Sequence, residues 1–130
     1  MMNRLRGLAA AVALALAALA PLAAHGAEGA LTQTYAVAYN DWAYGGSAGD
    51  YEGTLQLTYY PGGAISGWYR PNYGGSFEPV VGGKNDGRVW LSIGHRGTFR
   101  VQVRLEGDRL VGTATQAMKW YDFSATPSNG

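Results

Sequence analysis

Apolar and polar residues alternate along most of the chain from residue 31 onward. The period is clearest over 98–106, where Phe99, Val101, Val103 and Leu105 fall on one side and Arg100, Gln102, Arg104 and Glu106 on the other. A repeat of two sends these sets to opposite faces of a β-sheet. Residues 51–60 carry the same pattern, with Leu55, Leu57 and Tyr59 opposed to Glu52, Thr54, Gln56 and Thr58. Segments at 31–39, 64–70, 76–81, 88–93, 109–116 and 120–125 also read as strands, which makes eight. No stretch after Gly26 shows a helical stripe.

The breaks between strands are rich in turn chemistry. Pro61-Gly62-Gly63 reads as a turn, as does the run from Gly82 to Gly87 with its Asp86-Gly87 pair, and Gly94-His95-Arg96-Gly97 reads as a short hairpin loop. Gly107-Asp108 suits a two-residue hairpin with glycine first. Loops this short join antiparallel neighbours and leave no room for helical crossovers. The fold class expected is therefore all-β, a small antiparallel up-and-down meander. Closure into a barrel is favoured over a sandwich because an open meander exposes two edges. Pro79 cannot donate to a ladder, so 76–81 is expected to be bent, bulged or at an edge. The longest irregular stretch is 40–50, and the tail at 126–130 reads as frayed.

The first 26 residues differ in kind. Arg4 and Arg6 precede an apolar run from Leu8 to Ala20, Pro21 breaks it, and small residues follow. This is the layout of a secretory signal peptide. The run is too short to span a membrane, which takes roughly 20 apolar residues. Cleavage is placed after Gly26, with Ala24 and Ala27 as alternatives. A single barrel domain over 27–125 would remain, followed by the short tail. Loss of Arg4 and Arg6 moves the balance from ten Lys and Arg against nine Asp and Glu to eight against nine. A near-neutral chain without a basic run points away from nucleic acid and from anionic membranes. There is no cysteine, hence no disulfide and no lipid-accepting residue. The alanine-rich leader has a bacterial look, and the expected destination is periplasmic or extracellular, without stable membrane insertion.

Candidate chemistry is sparse. His95 is the one histidine left after cleavage, and it sits in a loop between glycine and arginine. No Cys nucleophile or G-x-S-x-G elbow is present, so no catalytic residue is named and the protein is not expected to be an enzyme. Zinc would need ligands this chain does not supply. Asn40, Asp41, Asp50 and Glu52 bracket the glycine-rich stretch with oxygen ligands, but their spacing is not that of an EF-hand. No metal or cofactor is expected.

Aromatic residues are the most suggestive feature, and all sixteen lie after the leader. Packing in a small β core accounts for many of them. Three tryptophans instead share predicted strand faces with polar residues: Trp68 with Ser66 and Arg70, Trp90 with Arg88 and Ser92, Trp120 with Asp122 and Ser124. Such a face lines a cavity, forms a recognition patch, or packs against the long loop. The ligand-binding candidates are Trp68, Trp90 and Trp120, with Arg70 and Arg88 as orienting charges. A small exported meander of this kind resembles the avidin-like and lipocalin-like barrels in architecture over about 31–125. That resemblance implies a barrel that takes up a small molecule. Two functions are carried forward: a non-catalytic binding protein for a small molecule or glycan, and a protein-interaction domain such as an inhibitor or envelope-assembly partner.

Overall fold

The computed structural model describes residues 29–41 and 51–128. The strands are β1 (Leu31–Asp41), β2 (Tyr51–Tyr59), β3 (Ala64–Pro71), β4 (Glu78–Asn85), β5 (Arg88–Ile93), β6 (Phe99–Glu106), β7 (Arg109–Gln116) and β8 (Lys119–Pro127). Each pairs antiparallel with its neighbours in sequence, and β1 also pairs with β8, so the sheet closes into a barrel. The expected all-β meander and its closure both hold.

The period of two decides inside from outside. Leu55, Leu57, Val80, Val89, Leu91, Val101 and Leu110 are fully buried within the barrel. Val103 is buried as well, and Phe99 and Leu105 pack partly against the core, so the apolar face expected of 98–106 is the inward one. The outward positions on β6 are Arg100, Gln102, Arg104 and Glu106, all exposed. Apolar inside and polar outside is the reverse of a membrane-spanning barrel, whose outer band is apolar.

Aromatic rings fill the barrel toward the end that carries the β3–β4, β5–β6 and β7–β8 connections. Tyr39 stacks on Tyr51 at 4.8 Å and meets Tyr121 edge-on at 5.2 Å, with Phe99 and Phe123 beside it. Toward the other end the Tyr35 and Tyr59 hydroxyls hydrogen-bond at 2.5 Å. The Tyr69 hydroxyl is buried beside Tyr39 and has no partner in hydrogen-bond geometry among the described residues. Burial pushes the Tyr35 and Tyr69 phenols up to about 12, the nearby charge of Asp108 adding to the rise at Tyr35. Tyr39 and Tyr59 are raised further for the same first reason.

Three details depart from the sequence reading. Gly82 and Gly83 belong to β4 rather than to a turn, and the connection to β5 is only Asp86 and Gly87, both at positive φ (56° and 81°). Gly82 suits a strand interior here because a Cβ would strike the Trp90 carbonyl and lie 3.0 Å from Leu91 Cα. Pro79 is not at a sheet edge, since β4 is paired on both sides. Its carbonyl still accepts the Gly94 amide at 2.9 Å, and the bond it forfeits is the outermost one of the β4–β5 ladder. Thr126 and Pro127 belong to β8, and the Ser128 amide donates to the Thr34 carbonyl at 2.9 Å, so these three residues of the expected tail are ordered by the sheet. The leader and most of the 40–50 stretch lie outside the described residues.

Candidate ligand-binding face

Trp68, Trp90 and Trp120 all lie on the barrel's outer surface, on β3, β5 and β8. They do not line its interior, where the apolar set sits. Pairing register shows which of them share a neighbourhood. Trp90 is opposite Gly83 on β4 and Gln102 on β6, and that row continues to Thr113 on β7 and Asp122 on β8. The next row runs from Ser92 through Arg100 and Thr115 to Trp120.

A shallow groove of about 800 Å³ follows the first of these rows. Trp90 and Arg88 form one side, Gln102 and Arg104 the floor, and Thr113 the far side. A hollow of about 340 Å³ continues from it, sharing Gln102 and Thr113 and ending at Met118 and Trp120. Trp90 and Trp120 thus bracket one polar surface, with 49% and 50% of their areas exposed. They stand three strand widths apart, about 14 Å at roughly 4.8 Å per strand.

Trp68 and Arg70 belong elsewhere. The Trp68 ring meets Phe77 edge-on at 4.9 Å, and the Arg70 guanidinium lies 5.6 Å from the same Phe77 ring centre. Trp68 is opposite Pro79 while Trp90 is opposite Gly83, which separates them by four residues along β4, roughly 13 Å. Of the five residues named from sequence, Trp90 and Arg88 come together, Trp120 borders the adjoining hollow, and Trp68 with Arg70 forms a second cluster.

What makes Trp90 a platform is the glycine beneath it. Gly83 is buried, and a Cβ built on it would come within 2.8 Å of Trp90 Cε2. With no side chain there, the indole lies down against β4 and leaves its other face to solvent. A ring covering a cross-strand glycine also supports the sheet at that point.

The polar groups of this face differ from those across β1–β3. There, outward side chains satisfy one another: Thr32 and Thr58 hydroxyls meet at 2.9 Å, Gln56 Nε2 donates to Thr34 Oγ1 at 3.4 Å, and Tyr60 and Ser66 hydroxyls meet at 3.1 Å. The Gln102 and Thr113 side chains have no hydrogen-bond partner among the described residues. They offer an amide and a hydroxyl beside an open ring.

Gly83, Gln102, Arg104 and Thr113 were not named as site residues from sequence. The polar side of β6 was readable, but its position beside Trp90 follows from the β5–β6 register. Gly83 was hidden inside a run that reads as a turn. Among the described residues no group of three His, Cys, Asp or Glu side chains could hold a metal ion. His95 is exposed in its loop, and Glu52 is exposed on β2. The Asp50 backbone and the Asp41 side chain, both part of the weighed calcium constellation, lie outside the described residues. Comparison with protein-family models, with curated proteins and with solved structures gave no match to this chain.

Proposed function

We propose that this is an exported, non-catalytic binding protein that holds a hydroxyl-rich ligand, a glycan in preference to a compact small molecule, on the outer face of β5–β8. The observation that carries the reading is the half-exposed Trp90 indole seated on Gly83 beside the Gln102 and Thr113 side chains, which have no partner among the described residues. Aromatic faces stack on the apolar faces of sugar rings, and a few placed polar groups supply orientation. Trp120 offers a second ring at the far end, so an extended ligand fits this surface better than a compact one. The polar outer surface agrees with a barrel surrounded by water rather than lipid. Every strand among the described residues lies beyond residue 26, so a cut there would leave those strands intact. Export to the periplasm or the exterior is part of the proposal, and an intact mass matching a chain that starts near Ala27 would support it.

Electrophoresis through gels containing a soluble polysaccharide tests the binding. Retardation that is lost in Trp90→Ala and kept in Trp68→Ala is expected. Equal behaviour of the two variants, both folded, would sink the site assignment. The competing reading is a protein-docking surface, and one observation favours it: Tyr73, Phe77 and Met118 are exposed apolar residues in connections at the same end of the barrel. Closure of the sheet removes the strand-edge route to such docking.

A further inference from the structure

Arg88 and Arg104 face one another directly across the β5–β6 ladder. The Leu105 amide bonds the Gly87 carbonyl at 2.8 Å, so by antiparallel alternation the Arg88–Arg104 pair is one without hydrogen bonds between its members. Such pairs bring Cα atoms to about 4.5 Å, closer than the alternate kind. Like charges directly opposed weaken a sheet. Their row continues to Asn85 on β4 and Val111 on β7, and neither neutralises them. Arg104 reaches Glu106 at 3.3 Å, an exposed ion pair of the kind that contributes little. Arg88 has no hydrogen bond or ion pair among the described residues. Asp86 is the single carboxylate lining the groove among the described residues. A juxtaposition that costs stability and sits beside an open ring and two polar side chains without a partner among the described residues has the form of an anion site.

We infer that Arg88 and Arg104 together bind the acid group of a polysaccharide whose ring stacks on Trp90, so that the ligand of this face is an anionic glycan. The inference rests on the glycan reading above and adds its charge. Guanidinium groups match carboxylate and sulfate oxygens in two-point geometry. Arg88 is two residues from Trp90 on the same face, about 7 Å along the strand, a distance within one acidic sugar unit. Gln102 and Thr113 then meet hydroxyls of the next unit. Nucleic acid also presents anions, but its binding grows with the number of phosphates neutralised. The exported chain carries eight Lys and Arg against nine Asp and Glu, and this face adds to the pair only Arg100 in the adjoining hollow.

Binding is measured by calorimetry at low and moderate salt with four probes: polygalacturonate, dextran sulfate, neutral dextran and a single-stranded oligonucleotide. The proteins are the wild type, Arg88→Gln, Arg104→Gln and Trp90→Ala. Binding to one or both acidic polysaccharides is expected, weakening with salt, and falling about tenfold or more in each arginine variant. Which of the two acidic probes binds separates a carboxylate from a sulfate ligand. Melting temperatures should stay level or rise in Arg88→Gln, because a like-charge contact is relieved. Equal binding to dextran, dependent on Trp90 and indifferent to the arginines, overturns the acid-group inference and leaves the glycan reading intact. Binding confined to the oligonucleotide overturns the inference in favour of nucleic acid. No binding to any probe overturns both.

Discussion

Two glycines, Gly53 on β2 and Gly83 on β4, do the same job on opposite faces of the sheet. Gly53 points inward, and a Cβ there would overlap the Tyr69 phenol; Gly83 points outward, and a Cβ there would crowd the Trp90 indole. Each leaves a seat in which an aromatic ring from the next strand lies down. The inner ring completes the core, and the outer one becomes a platform whose angle is set by the backbone below it. Gly83→Ala is therefore expected to tilt Trp90, shift its fluorescence and cost roughly 1 kcal/mol of stability, toward the low end for overpacking because the ring can swing outward. Gly62→Ala, where a Cβ meets nothing within 4 Å, serves as the comparison and should leave both properties unchanged. Fluorescence spectra and thermal melts of the two variants check this.

At the level of strands, alternation was enough to read most of the barrel, because a strand with one face buried must keep its apolar residues on one parity. Residues 51–60, 88–93, 98–106 and 109–116 were placed to within one residue on that basis. Alternation fails where glycine replaces a side chain. Gly82 and Gly83 carry neither an apolar nor a polar signal, so β4 read as a short strand followed by a long turn. Cross-strand neighbours were not legible either: Trp68, Trp90 and Trp120 share a face type, but pairing register places Trp68 beside Phe77 and Trp90 beside Gln102. Parity itself makes a sharp expectation. Val101→Asp buries an unpaired charge and should destabilise by on the order of 4 kcal/mol, whereas Gln102→Asp, one residue away and exposed, should stay within about 0.5 kcal/mol. Denaturant unfolding of both decides it, and similar losses would mean that inside and outside have been exchanged.

Taken whole, the molecule packs Tyr35, Tyr39, Tyr59, Tyr69 and Tyr121 inside and displays Trp90 and Trp120. Tyr35 and Tyr69 titrate near 12 in the folded barrel against 10 in an unfolded chain. Below pH 10 both states keep these protons and stability is intact. Between about 10 and 12 the unfolded phenols ionise first, so stability falls as pH rises through the folded values. Tyrosinate absorbance should accordingly show the buried phenols ionising only together with loss of the β-sheet circular dichroism signal. A single class titrating without unfolding would contradict the packed aromatic interior. The proposed site lies on the outer side of this division, and one measurement tests that claim most directly. Amide and indole resonances of the isotope-labelled protein are followed by NMR during titration with polygalacturonate fragments. The account predicts changes clustered on Arg88, Trp90, Gln102, Arg104 and Thr113, reaching Trp120 as fragments lengthen. Changes centred instead on Tyr39, Tyr51 and Tyr121 inside the barrel, or on Trp68 and Phe77, would contradict it, as would no change at all.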